Sequence, residues 1–203
     1  MIKKLYVIRH GETAYNHNGI VQGRKIDADL NEKGREQADS FYNKYKAFDF
    51  DVCFTSTLKR THQTVDGFLK DGLQWYQFSG LDEMNYGEFE GKQAGNGEEG
   101  SAVELMNKWN DGFLNLKPEG GEGPYDVMKR QQEAFSDILG MNFNNALVCM
   151  HSRAIRIMLC WMQDLNMIEM KNLGSVNTGL SIISYDPKAE KYTLEEFNNT
   201  DHL

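Results

Sequence analysis

The sequence predicts an α/β protein with three layers, α/β/α, built on a mainly parallel central sheet and carrying an inserted cap segment. Three observations lead there. Residues 3–9, 51–56 and 146–150 are short apolar runs that read as buried strands. Amphipathic helical segments alternate with them, and such alternation implies helices on both faces of a parallel sheet. The stretch 80–125 breaks the alternation, which marks it as an insertion over one end of the sheet within a single domain spanning 1–203.

The elements follow in order. After the strand at 3–9, Asn31 caps a helix whose apolar positions Ala38, Phe41, Tyr42 and Tyr45 recur at helical spacing. The strand DVCFTS (51–56) leads into a helix with Ser56 as expected N-cap and Gly72 as stop. A short strand is expected near 73–79. GKQAGNGEEG (91–100) holds four glycines and two acids and reads as a mobile loop. Val103, Met106, Trp109, Phe113 and Leu116 then share one helical face, which KPEGGEGP (117–124) ends. A further amphipathic helix carries Val127, Ala134, Phe135, Ile138 and Leu139. The strand ALVCM (146–150) stops at His151, and the helix over 153–165 is apolar on most sides, hence interior. Strands at 180–185 and 192–197 close the chain.

Composition narrows the function. A chain of 203 residues with 40% apolar and 26% charged residues can bury a proper core. A net charge of −8 disfavours nucleic-acid binding and anchoring to anionic lipid. No apolar run is long enough for a membrane span, and Met-Ile-Lys-Lys lacks the features of a secretory signal, so a cytoplasmic location is expected. Cys53, Cys149 and Cys160 sit apart in apolar runs and read as reduced core residues rather than metal ligands. A homodimer through an uncovered sheet edge or aromatic surface fits the sequence, though no residue identifies one.

In parallel sheets ligands bind beyond the carboxyl ends of strands. Three strand ends here carry chemistry. The first ends at Arg9-His10. The second leads to Arg60 in the following helix. The third ends at His151, followed by Ser152, Arg153 and Arg156. If these ends are neighbours, an acidic protein has assembled a cationic site, and the planar guanidinium fork suits phosphate.

An ordered set of motifs across nearly the whole chain resembles the histidine phosphatase, or phosphoglycerate mutase-like, superfamily, and its smaller phosphatase-type members in particular. The motifs are RHGET (9–13) with Asn16, IVQGRKIDADLNEKG (20–34), STLKRTHQT (56–64), LDEMNYGEFEG (81–91), PEGGE (118–122) with Arg130, VCMHSRAIR (148–156) and NNTDHL (198–203). The resemblance implies a metal-independent phosphomonoesterase that acts on a small phosphorylated metabolite without a cofactor, a phosphoric monoester hydrolase of the histidine acid phosphatase type. His10 is then the nucleophile that forms a phosphohistidine. Arg9, Arg60 and His151 clamp the phosphoryl oxygens, with Asn16 as a neutral donor. Glu83 is the general acid and later the base, and must be protonated when substrate binds. Gly11 lets the backbone approach an oxyanion closely. Gln22, Gly23, Tyr86, Ser152 and Arg153 complete the expected substrate contacts, and PEGGE with Arg130 is expected on the substrate side.

The chain departs from the family pattern where two small residues usually follow the second histidine; Ser152 and Arg153 stand there, and Arg153 either adds a cation or crowds the pocket. Two other readings stay open. Phosphoglycerate mutase action is one, although the middle segment has no Arg-Arg pair. A non-catalytic phospholigand-binding module on the same fold is the other. Of the remaining histidines, His62 reads as structural, His17 as exposed and His202 as part of a frayed terminus.

Overall fold

A computed structural model describes all 203 residues. The sheet has six strands: β1 (Lys3–Arg9), β2 (Val52–Thr55), β3 (Trp75–Gln77), β4 (Asn145–Met150), β5 (Leu180–Asp186) and β6 (Lys191–Asn199). Their spatial order is β3-β2-β4-β1-β5-β6. The pairings β2·β3, β2·β4 and β1·β4 are parallel, while β1·β5 and β5·β6 are antiparallel. The sheet is therefore mainly parallel, with an antiparallel edge made by the hairpin expected at 180–197.

The helices are α1 (Ala14–His17), α2 (Glu32–Tyr45), α3 (Lys59–Lys70), α4 (Ala102–Asn110), α5 (Pro124–Gly140) and α6 (Ser152–Met162). Alternating strand residues sort onto two faces, as the two-residue period of a strand requires. Leu5, Val7, Val52, Phe54, Val148 and Met150 pack with Phe135 and Ile138 of α5 and with Ile155 and Met158 of α6. Tyr6, Ile8, Cys53, Leu147 and Cys149 pack on the other face with Phe41 of α2 and with Val65 and Phe68 of α3. Truncating a fully buried aromatic such as Phe54 or Phe135 to alanine costs about 3–5 kcal/mol. All three cysteines are free and buried. No helix is long and apolar enough to cross a membrane.

The segment 80–125 forms its own apolar cluster, in which Met84, Tyr86 and Trp109 pack on Ile157 and Cys160 of α6. Two expectations are corrected here, the length of the helix after 103 and the cap at Ser56. The helix expected to run from Val103 through Leu116 ends at Asn110, because Gly112 adopts φ +97° and turns the chain back; Phe113 and Leu116 are exposed. The loop 91–100 is joined at its start to the segment before α2: Val21 N–H donates to the Lys92 carbonyl (2.9 Å) and Gly91 N–H to the Val21 carbonyl (2.9 Å). Ser56 does not cap α3. The helix starts three residues later, behind Leu58, and makes no side-chain cap. The Ser56 hydroxyl accepts from Leu58 N–H (3.1 Å) and also meets His151.

Candidate active site

Because β2, β4 and β1 are adjacent and parallel, their carboxyl ends deliver Ser56, His151 and His10 to one place. The two imidazole rings lie 5.1 Å apart, centroid to centroid. His10 Nδ1 lies 2.7 Å from the Gly11 carbonyl, which can only accept, so Nδ1 carries the proton. Nε2 is then the unprotonated nitrogen, and it makes no hydrogen bond within the protein. Asn177 Nδ2 donates to the His10 carbonyl (2.8 Å) and steadies the backbone. Burial, and then the charges of Arg60 and Arg9, hold the His10 pKa well below the usual histidine value, so the ring is neutral at pH 7.

Behind it runs a chain of hydrogen bonds whose direction is fixed by its ends. Arg60 Nε–H donates to His151 Nδ1 (3.1 Å), so His151 holds its proton on Nε2 and donates to Ser56 Oγ (2.8 Å). Thr61 Oγ donates to the Leu58 carbonyl (2.8 Å), which leaves it to accept from Ser56 Oγ (3.1 Å). The rest of the Arg60 fork donates to the carbonyls of Ile26 (2.8 Å) and Gly23 (3.2 Å). Burial pushes the Arg60 pKa down to about 10, against the pull of Glu83, and the group is still a cation at neutral pH. Burial and Arg60 likewise hold His151 neutral. In this geometry the single N–H of His151 is turned to Ser56, and its Nδ1 accepts from Arg60.

Glu83 sits beneath the first turn of α6. Its Oε1 accepts from the N–H groups of Met84 (2.9 Å) and Ala154 (3.0 Å), and its Oε2 from that of Arg153 (3.1 Å). The segment that carries it is braced by Arg130, which donates to the carbonyls of Gly80 (2.8 Å), Asp82 (2.9 Å) and Glu83 (3.0 Å) and pairs with Glu122 (2.9 Å). Asp82 is fixed in turn by Thr57 and by Arg24 (3.0 Å). Arg130 is thus a brace rather than the substrate-side group expected of it.

A cavity of about 280 Å³ lies beside Arg9 and Glu83, lined among others by Asn16, Gln22, Ser152, Arg153 and Arg156. Arg9 donates from one terminal nitrogen to the Ser175 carbonyl (2.8 Å), and burial brings its pKa down to about 10. Three buried nitrogens on the cavity wall have no partner: Arg9 Nε, Gln22 Nε2 and Arg156 Nε. The arginines form no salt bridge there; the ion pairs lie elsewhere, as Arg24 with Asp82. Asn16 uses its Oδ1 to accept from Thr13 N–H (3.3 Å), and Nδ2 donates to no protein group. Tyr86 meets Arg153 Nε through its hydroxyl (3.4 Å). A larger hollow of about 430 Å³, beside Phe48, Phe50 and Leu73, lies at the amino ends of β2 and β3, away from all of these side chains. No group of three or more His, Cys, Asp or Glu side chains is arranged to hold a metal ion.

Of the expected site residues, His10, Arg60, His151, Gly11 and Gly23 do not line this cavity. Gly11 N–H donates to Thr64 Oγ1 (2.9 Å), and a Cβ at Gly11 would stand 2.4 Å from the Gly34 carbonyl oxygen, so glycine is needed there for packing on α2 rather than for approach to an oxyanion. Gly23 contributes its carbonyl to Arg60. His202, expected to fray, packs on Phe41 and Tyr45 and bonds Thr178 Oγ1 (3.1 Å). His17 is exposed and His62 bonds the Ser56 carbonyl (2.8 Å), both as expected. Ser56, Asn177 and the Arg24–Asp82 pair were not anticipated. Ser56 carried a signal, its position at a strand end, but a helix cap explained it equally well.

Residues 5–200 match the family model of the histidine phosphatase superfamily (branch 1). Over 213 aligned residues the chain is 30% identical to a broad-specificity phosphatase of Saccharomyces cerevisiae, covering 100% of this chain and 88% of that one. It is 30% identical over 171 residues to a 2,3-bisphosphoglycerate-dependent phosphoglycerate mutase of Nitrobacter winogradskyi, covering 80% and 82%. Among solved structures, the α-ribazole phosphatase of Shigella flexneri superposes with a TM-score of 0.84 at 23% identity, covering 97% and 96%, which is a likeness of fold.

Proposed function

The chain belongs to the histidine phosphatase superfamily (branch 1), and on that premise we propose that it is a metal-independent phosphomonoesterase acting on a small phosphorylated metabolite through a phosphohistidine. The observation that carries this reading is the state of His10. Its Nδ1–H is tied to a carbonyl, its Nε2 lone pair is free, and two buried arginines flank it. A neutral, oriented imidazole beside fixed cations is what attack on a phosphate ester requires.

In the first step the Nε2 lone pair forms a bond to phosphorus while the bond from phosphorus to the ester oxygen breaks. Glu83, as the carboxylic acid, gives its proton to the departing oxygen. Its Oε2 accepts one backbone N–H, against two at Oε1, and is the oxygen better placed to carry that proton. In the second step the Glu83 carboxylate takes a proton from water, the water oxygen bonds to phosphorus, and the phosphorus–nitrogen bond breaks. Arg9 and Arg60 stabilise the charge on the phosphoryl oxygens in both steps, each by about 3 kcal/mol. The segment 80–125 serves as the cap over this cavity.

The test is turnover of a phosphomonoester panel in the presence of EDTA, by the wild type and by His10→Ala. Activity in EDTA that falls about 10⁴-fold or more in the variant, with acid-labile, base-stable phosphate on the wild type alone, is expected. Full turnover by His10→Ala would reject the nucleophile. The mutase relative makes one further assay necessary: conversion of 2- to 3-phosphoglycerate with and without a bisphosphate primer. Primer-dependent conversion faster than phosphate release would replace hydrolysis by mutase action. Tight phosphate binding without turnover would make the protein a binding module.

A further inference from the structure

Arg60 and Arg9 are the cations that act on His10. The cavity holds two more that this chemistry does not use. Arg153 and Arg156, both on α6, stand on the cap side. The Arg153 guanidinium lies 5.7 Å from the centroid of the Trp109 ring, and its Nε reaches only the Tyr86 hydroxyl (3.4 Å). Arg156 keeps a buried Nε with no partner and feels the charge of Arg153 beside it. Gln22, which lines the same cavity, also has a buried and unpartnered Nε2. Neither arginine is paired with an acid. Glu83 acts on Arg156, but its two oxygens are taken by backbone N–H groups. Two guanidinium groups brought together without a counter-charge are costly unless an anion joins them. In a chain of 30 acidic and 22 basic residues, that shortage of acids at one place is a property of the site.

We infer that Arg153 and Arg156, with Gln22, form a second anion subsite on the cap side, so that the substrate is a small phosphomonoester bearing a second anionic group. This deepens the phosphatase reading and rests on it. The subsite takes a carboxylate or a second phosphate, since either accepts two parallel N–H bonds from a guanidinium fork. The cavity beside Arg9 and Glu83, about 280 Å³, suits a small molecule.

The experiment measures binding to His10→Ala by calorimetry, with three probes of matched length: glycerol 3-phosphate, 3-phosphoglycerate and propane-1,3-diol bisphosphate. One of the doubly anionic probes is expected to bind about 10- to 100-fold more tightly than glycerol 3-phosphate, and whichever does identifies the second group. Adding Arg153→Met, which keeps a long side chain over Trp109, is expected to remove most of that preference; Arg153→Lys is expected to keep part of it. No preference, or a preference equal in His10→Ala and in the Met double variant, overturns the subsite. If the preference stands and depends on Arg153 while the wild type cleaves no ester, the subsite holds and the phosphatase reading falls instead. If Arg153→Met does not fold, Arg156→Met takes its place in the same assay: loss of the preference supports the subsite, and an undiminished preference overturns it.

Discussion

The two sides of the cavity are built on opposite rules. On the strand side the polar groups behind His10 are committed to one another. Arg60, His151, Ser56 and Thr61 hand hydrogen bonds along a closed chain, and the guanidinium fork ends on two carbonyls. On the cap side Arg156 and Gln22 each hold a buried nitrogen without a partner, and Arg153 rests on a long contact. A buried group with its hydrogen bonds made is rigid, while one without them has donor capacity left for a ligand. The strand side is therefore preorganised for one unvarying group, and the cap side is completed by whatever molecule arrives.

The sharpest way to break this contrast is to damage the committed side. Arg60→Met is expected to lower kcat by about 10²- to 10³-fold, because it removes a fixed cation and releases His151. Steady-state kinetics on the variant, with circular dichroism to confirm folding, checks it; a loss below tenfold would mean that the strand side is not where the charge is stabilised. Gly11→Ala comes next. Its methyl would collide with the Gly34 carbonyl, a backbone atom that cannot step aside, and a stability loss of about 2–3 kcal/mol in urea is expected. An unaffected variant would remove the packing explanation for that glycine.

Acidity probes the same wall more gently. His10 and His151 are held neutral in the folded protein well below their usual value of 6.5, first by burial and then by the arginines. The unfolded chain gains protons below about pH 6.5 that the folded chain refuses. Stability is thus intact above that pH and falls as the pH drops through it, by about 1.4 kcal/mol per pH unit for each histidine. Urea unfolding between pH 7.5 and 5.5 measures the slope, and His151→Asn should flatten it. Stability that climbs toward pH 5.5 would contradict the neutral pair. The smallest effect is expected from Ser56→Ala, which leaves the His151 N–H without its acceptor, at a cost of about 1–2 kcal/mol in stability. A KM that rises more than kcat falls would place Ser56 on the ligand rather than behind it.

Much of this could be read along the chain. Buried strands and amphipathic helices announce themselves by period, and the strand ends with Arg9-His10 and His151 stood out because charged residues directly follow apolar runs. What escaped were residues whose role depends on a partner far away in sequence. Ser56 meets His151 across 95 positions, and Arg130 braces Glu83 across 47. Gly11 looked like a ligand contact until the close approach of Gly34 explained it. The apolar face drawn through Phe113 and Leu116 failed because a glycine two residues past the last helical turn took a positive φ, a local event that the spacing of apolar residues does not register.

By itself the sequence determined the α/β class, the strand and helix order, and which side chains are candidates for the chemistry, since periodicity and residue chemistry are local properties. Only the tertiary structure decided which nitrogen of His10 is free, that His151 serves Arg60, and that cap-side arginines lack partners. Those follow from which acceptors and charges come within hydrogen-bonding reach, and the pairing of β2, β4 and β1 sets that distance.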